Sequence, residues 1–219
     1  MRVLRPALAG LILLACAGGW TGCSTTRPVA PSPEAGRLLR QGTVQVDPLL
    51  RCVVVTGYLN MVEGPIELMA CGPGGKVHES VLVLEANPVD LQAALLLIGL
   101  RAGPPMKELG IGPPLGDLVS VWVEWQQAGQ RVVRPLEELA YSWRDKAPLK
   151  TSGWVFTGSL FEDGKFKALA EESMIASYWD PWSILNVHSS LGADDEALSV
   201  NTNAVPALHT PVRLLIQRP

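Results

Sequence analysis

The chain predicts an α+β domain on a largely antiparallel sheet of short strands, with one buried helix near residues 88–99 and short additional helices. Three observations carry this expectation. Apolar–polar alternation with a period of two recurs along the chain and outnumbers helical spacing. Gly- and Pro-rich breaks follow one another closely, so most connections read as short turns. A single long segment combines helix-start chemistry with an unbroken apolar run.

Taken in order, residues 51–59 are rich in Val and end in Thr56-Gly57-Tyr58. Glu63-Gly64-Pro65 is turn chemistry and residues 66–71 return, so the first unit reads as a hairpin. After the break Gly72-Pro73-Gly74-Gly75, the run Val81-Leu82-Val83-Leu84 is apolar on both faces, as in a strand covered on both sides. Asn87 then offers a helix cap, Pro88 suits the first helical position, and Asp90 sits near the positive helix end. Leu91, Ala93, Ala94, Leu95, Leu96, Leu97 and Ile98 leave little polar face, so this helix should be buried; Gly99 stops it. Residues 101–118 carry Gly103-Pro104-Pro105 and Gly112-Pro113-Pro114 and read as a long loop.

Residues 119–126 alternate cleanly, with Val119, Val121, Val123 and Trp125 on one face and Ser120, Trp122, Glu124 and Gln126 on the other. Gly129 turns this strand into Arg131-Val132-Val133-Arg134, a second hairpin. Residues 135–143 read as a short helix, 153–161 and 173–179 as strands, and 180–185 as a helical turn. Residues 198–202 and 212–217 close the chain as strands.

The N-terminus has its own logic. Arg2 and Arg5 precede a short apolar run from Pro6 to Ala15, followed by small residues and cysteines. Residues 1–22 therefore read as a lipoprotein signal, too short to span a bilayer as a helix. Cys23 is the expected acylated first residue of the mature chain, and Cys16 is the alternative. Leu13-Leu14-Ala15-Cys16 has the better apolar residue three places before the thiol. Anchoring at Cys23, however, leaves Cys52 and Cys71 as a pair, whereas anchoring at Cys16 leaves an odd exposed thiol in an oxidising compartment. Residues 23–43, with Pro28, Pro31, Pro33, Gly36 and Gly42, form a tether with a reach of roughly 20–30 Å. Residues 44–219 form a single domain. The expected location is the bacterial cell envelope, lipid-anchored to a membrane, with the domain outside the cytoplasm.

Composition narrows the partners. The chain has 18 basic and 21 acidic residues; removing Arg2 and Arg5 with the signal leaves 16 against 21, a formal charge of −5. A mildly acidic chain without basic runs argues against nucleic acid and against electrostatic binding to anionic lipid. The longest later apolar run, residues 91–100, is about half the length of a membrane span.

Most motifs that carry chemistry fail on inspection. Gly75-Lys76 invites a phosphate-loop reading, but Ala70 stands where the first glycine belongs and Val77 replaces the metal-binding hydroxyl. There is no Gly-x-Ser-x-Gly, His-Glu-x-x-His or Cys-x-x-Cys. After processing at Cys23 only two cysteines remain, too few for a structural zinc or iron–sulfur site, so no metal or cofactor is expected. Cys52 and Cys71 flank the first hairpin and either form a disulfide or pack as two buried thiols.

One polar cluster stands out. Gly75-Lys76-Val77-His78-Glu79-Ser80 lies where a Gly-rich turn enters a buried strand, and an extended segment there would put Lys76, His78 and Ser80 on one face. A His beside a carboxylate can act as base or metal ligand. Along one strand, however, His78 and Ser80 would stand about 6.5–7 Å apart, too far for a direct bond. The structural alternative has His78 and Glu79 bonding backbone where the strand begins.

This hexapeptide, with Leu91-Gln92-Ala93-Ala94-Leu95-Leu96-Leu97-Ile98-Gly99, Trp154-Val155-Phe156-Thr157-Gly158-Ser159 and Asn201-Thr202-Asn203-Ala204-Val205-Pro206, occurs in this order. Together the four motifs resemble the YdjY-type domain, a bacterial exported family, over about residues 44–219. The resemblance implies a common fold and export and no established reaction. Some relatives are described as ferredoxin-like; this chain lacks the cluster cysteines, so electron transfer does not carry over.

Trp122, Trp179 and Trp182 read either as exposed rings that stack on sugars or as covers over a core edge. His188 with Asp194, Asp195 and Glu196 reads as a cation site or as a solvated acidic loop. The functional expectation is a lipid-anchored envelope protein with a binding or structural role and an envelope protein or glycan as partner. No catalytic residue is assigned. The candidate binding surface is Lys76, His78, Glu79, Asn201 and Asn203, and the deciding observation is whether the fold brings them to one cleft. The alternative is an envelope hydrolase or metal-dependent enzyme using His78 and Glu79.

Overall fold

Strong β-formers at period two build the chain into strands, but the strands close into a ring instead of forming an open sheet. The computed structural model describes residues 39–41 and 43–219; the signal, Cys16, Cys23 and most of the tether lie outside the described residues. Before the first long strand run β1 (Leu39–Gln41) and β2 (Val44–Asp47), then β3 (Cys52–Leu59), β4 (Leu68–Cys71) and β5 (Ser80–Leu84). Helix α1 (Pro88–Leu97) follows, then the hairpin of β6 (Leu118–Gln127) and β7 (Gln130–Pro135). Next come β8 (Ala140–Ser142), β9 (Ala147–Pro148), β10 (Trp154–Phe156), β11 (Phe161–Glu162) and β12 (Lys165–Phe166). Helix α2 (Lys167–Glu171), β13 (Ser173–Ala176), β14 (Leu185–Val187), β15 (Leu198–Val200) and β16 (Pro211–Gln217) complete the fold.

The main sheet runs β3-β16-β6-β10-β14-β13-β4-β5, and β5 pairs back onto β3. The result is a closed eight-stranded β-barrel in a mostly β chain with two short α-helices, which overturns the expectation of an α+β domain on a sheet of short strands. The expected hairpin between residues 51–59 and 66–71 does not form either: β5 lies between β3 and β4, antiparallel to the first and parallel to the second. A second parallel pair joins β13 and β14. Each parallel pair is linked by only eight residues, 72–79 and 177–184, with no α-helix between. Parallel neighbours normally need a crossover of a dozen residues or more. Links this short therefore look like antiparallel turns in sequence.

Alternation explains how the ring fills. Val55, Leu214 and Val123 stand level with one another, and Val53, Ile216 and Val121 form the next row, all fully buried in the main core. An eight-stranded ring leaves an interior just wide enough for side chains to fill. The intervening row, Val54, Leu215 and Trp122, faces outward and packs with Cys52 as a separate cluster.

The two ends of the barrel are closed differently. Helix α1 follows β5 and α2 precedes β13, so both helices cover one end. The Asn87 side chain accepts a bond from Val89 N at 2.8 Å and starts α1. Gln92 then donates to the Gly158 carbonyl, and Arg218 donates to the Gly99 carbonyl at 2.7 Å. At the other end sits the small sheet β15-β8-β9 with the 3-10 turn Leu136–Leu139. Ile66 N, in the segment between β3 and β4, donates to the Leu198 carbonyl of this sheet, and Asn201 N donates to the Leu139 carbonyl, tying β15 to the 3-10 turn. The expectation of a fully buried helix is also corrected. Leu91, Ala94 and Leu95 of α1 are buried, but Val89, Leu96 and Leu97 are 44%, 50% and 61% exposed.

Candidate functional site

The polar residues singled out in the sequence lie at the sheet-closed end, around the segment that links β3 to β4. Residues Val77–Glu79 form a 3-10 turn and not an extended strand, so Lys76, His78 and Ser80 do not share a strand face. The turn is held from below. Asn60 donates to the carbonyls of Val77 and Ser80, and the buried Ser80 hydroxyl donates to the Lys76 carbonyl at 2.9 Å. Ser80 is thereby committed to structure. Lys76 Nζ stands 3.0 Å from Glu67 and 2.8 Å from Glu79. Partial burial works against its charge, but hydrogen bonds and the charges of Glu79 and Glu67 outweigh this and raise the ammonium pKa.

His78 is the outermost member. Its side chain is 77% exposed, and its Nε2 approaches Glu79 only to 3.7 Å. It makes no hydrogen bond to backbone, contrary to the structural alternative. His78 and Glu79 line a cavity of about 260 Å³ with Glu67, Asp195 and Glu196, so its rim is mostly carboxylate. Among the described residues, no three His, Cys, Asp or Glu side chains are arranged to hold a metal ion. His188 stands apart, with Nδ1 2.6 Å from the Ser152 hydroxyl, while Asp194 accepts from Glu196 N.

Asn201 and Asn203 line a different cavity, next door. Its volume is about 480 Å³, and Glu63, Tyr141, Trp143 and Thr202 share its wall. Pro65 and Ser199, which bridge to each other, line one cavity each; His78 and Glu79 line the first, Asn201 and Asn203 the second, and Lys76 lines neither, so the five candidate residues do not share one cleft. Asn201 is nearly buried and its Nδ2 donates to the Glu138 carbonyl, which makes it a brace. Asn203 and Thr202 are exposed. Trp143 is 61% exposed, with its ring edge-on to Tyr141 at 5.5 Å and 79°. Sequence reading passed over this pair, although two aromatics two residues apart at a strand end project on one side.

The tryptophans that had drawn attention do other work. Trp179 is buried, its Nε1 donates to the Val187 carbonyl, and Gly112 and Gly192 press on its ring, where a Cβ would come within 2.5 and 2.4 Å. The long loop of residues 101–117 thus packs onto the barrel through Trp179. Trp182 is half-buried under the Lys167 ammonium, 5.0 Å from its centroid. Trp122 is half-buried against the outward row Val54 and Leu215.

Two further sequence features are settled by geometry. The glycines at 72 and 74 wrap the Glu172 carboxylate, where a Cβ would collide with its oxygens, and Gly74 N donates to it at 2.7 Å. Cys52 and Cys71 are free, buried thiols in separate clusters. Cys71 is level with Val83, which is level with Tyr58, six residues along β3 from Cys52. That is about 20 Å at the rise of a strand, far outside disulfide reach. Burial pushes each thiol pKa up to about 11.

The β13–β14 link holds the densest buried polar network. Asp180 accepts from the Ser173 hydroxyl at 2.7 Å and from Trp182 N at 2.8 Å, while Asn186 bonds Asp180 N, the Asp180 carbonyl and Thr157. Burial raises the Asp180 pKa, and the two bonds it accepts oppose that rise. A cavity of about 840 Å³ lies on the outer face of β3, β16 and β6, with Tyr58, His209 and Glu85 at its rim. Within it Glu124 pairs with Arg213 at 3.5 Å, and with Arg131 beside the cavity at 2.7 Å.

A model of the YdjY domain matches residues 44–217. The chain belongs to the YdjY domain family. The matched span runs from β2 through β16 and includes all eight strands of the barrel, both end closures and both cavities at the sheet end. No curated protein and no solved structure matches the chain.

Proposed function

We propose that this YdjY domain is a saccharide-binding module of the bacterial cell envelope, lipid-anchored through Cys23, and that its ligand sits in the Trp143 cavity. The observation that carries the reading is the exposed Trp143 ring, propped edge-on by Tyr141 beside Glu63, Thr202 and Asn203. A pyranose has an apolar C–H face and a rim of hydroxyls. An indole face matches the first, and a carboxylate, a hydroxyl and an amide match the second. A large exposed aromatic over a polar-walled cavity contributes nothing evident to folding, which supports a ligand role. The acidic cavity next door, with the exposed His78, lies within reach of a longer glycan chain.

Catalysis by His78 and Glu79 has less support, because Ser80 is committed to the Lys76 carbonyl and Glu79 is paired with Lys76. The test is calorimetric titration of the full chain with N-acetylglucosamine oligosaccharides, for the native protein and Trp143→Ala. Saturable binding that falls at least tenfold in the variant, at unchanged melting temperature, supports the reading. No binding to any such glycan, or equal binding by the variant, removes it. Intact-mass analysis tests the anchor: a mature chain beginning at a triacylated or diacylated Cys23 is expected, and one beginning at Cys16, or without acyl chains, refutes it.

A further inference from the structure

Helix α1 carries two apolar faces, and packing uses only one. At 100° per residue, Pro88, Leu91, Ala94 and Leu95 cluster on the buried side, while Val89, Ala93, Leu96 and Leu97 lie within an arc of about 100° on the opposite side. Val89, Leu96 and Leu97 are exposed there. They are not alone. Leu49 and Leu50, in the turn between β2 and β3, are 80% and 50% exposed. That turn is built to hold them out: the buried Asp47 carboxylate accepts from both Leu49 N and Leu50 N, at 3.0 and 2.9 Å. The next residue, Arg51, lays its guanidinium beside Gly99 just after α1, so the turn and the helix form one surface. Leu169, on helix α2 beside α1, and Phe161, on the hairpin that packs on α2, are also exposed.

The described chain begins at this same end. β1 pairs β2 with Leu39 level with Val46, and its backbone packs beside α1. Fifteen residues separate Leu39 from Cys23, and a random-coil chain of that length spans about 20 Å root-mean-square. A lipid at Cys23 therefore holds the leucine-rich end, and not the cavity end, at high effective concentration beside a bilayer.

We propose that the helix-closed end of the barrel seats on the surface of the phospholipid bilayer to which the chain is tethered, through Leu49, Leu50, Val89, Leu96 and Leu97. This rests on the anchoring reading above. It fixes the orientation of the domain: the Trp143 and His78 cavities, at the opposite end, point away from the membrane.

The test uses the full chain purified from membranes and reconstituted into phosphatidylethanolamine–phosphatidylglycerol vesicles containing brominated acyl chains. A bimane label is placed at Leu97→Cys or, as the control on the sheet-closed end, at Leu208→Cys; the buried Cys52 and Cys71 stay unlabelled. Bimane at 97 is expected to be quenched several-fold more than at 208. Adding Leu49→Asp and Leu96→Asp should bring the quenching at 97 down to the level at 208 without lowering the melting temperature. Equal quenching at both positions, stronger quenching at 208, or cross-linking of two copies through position 97 without quenching overturns the proposal. Intact mass of the same sample separates the two readings. An acylated chain without differential quenching sinks the docking alone; an unacylated chain with it sinks the anchor alone; an unacylated chain without it sinks both.

Discussion

The two ends of the barrel solve one problem, closing a ring of strands, with opposite surfaces. The helix end is closed by α1 and α2 and exposes Leu49, Leu50, Val89, Leu96 and Leu97. The sheet end is closed by β15-β8-β9 and presents carboxylates, amides and one exposed indole around two cavities. A helix has one face to spare once the other is buried, and that spare face can be apolar without any effect on packing. A short sheet closing an end leaves loops and strand termini pointing outward, where polar side chains gather. The comparison teaches that exposure, more than hydrophobicity, separates residues that hold this fold from residues free to serve a surface.

The largest expected effect breaks the helix end from inside. Leu95→Asp buries an unpaired carboxylate against the barrel, at a cost of several kcal/mol in a domain whose whole stability is about 5–15 kcal/mol. It should yield no folded protein. Leu96→Asp, one residue on, faces solvent and should melt within about 0.5 kcal/mol of the native chain. Thermal melts of the two variants decide this; equal damage from both would mean that α1 is covered on both faces.

Next comes the link between the ends. Asp180→Ala removes the acceptor for Ser173 and Trp182 N and should cost about 1–3 kcal/mol. Asp180→Asn keeps one acceptor and should cost less. Because burial raises the folded-state pKa of Asp180, the folded protein holds this proton more tightly than the unfolded chain. Its contribution is present in full below the ordinary carboxylate range and is lost as pH rises through the raised pKa. The melting temperature of Asp180→Asn should therefore fall less than that of the native protein between those limits. Parallel pH profiles would remove Asp180 as the source.

A smaller contrast lies within the sheet end. Asn60→Ala removes two bonds that hold the Val77–Glu79 turn and should cost about 1–2 kcal/mol. His78→Ala removes an exposed ring and should leave the melting temperature unchanged within error. A loss of several degrees in His78→Ala would show that the histidine is structural after all. The smallest stability change of all is expected for Trp143→Ala, whose loss should register only as weaker saccharide binding.

Much of the β content was legible because it rests on local alternation. The segment around Val119, Val121 and Val123 showed its inward face directly, and Gly129 marked the turn into β7. Asn87 and Pro88 marked the start of α1 for equally local reasons. Which strands pair was not legible. β3 and β4 look like a hairpin because the parallel links of the barrel are eight residues long and contain no α-helix, so the usual signal of a crossover is missing. The candidate site was half legible: Lys76, His78 and Glu79 do meet, because they are neighbours in sequence. Glu63, Tyr141, Trp143 and Asn203 meet only because β8 and β15 pair across the end of the barrel, a contact between distant parts of the chain.

By itself the sequence determined the membership of the YdjY domain family, the strand-forming segments and the inward rows of Val and Leu. Each of these depends on residue type and period within a short window. Only the tertiary structure decided that the sheet closes into a barrel, that Cys52 and Cys71 stand about 20 Å apart, and that the leucines of α1 divide between core and surface. The physical reason is that pairing and burial are properties of contacts between segments far apart in the chain. A leucine at 95 and a leucine at 96 are chemically alike, and only the barrel beneath α1 makes one of them core.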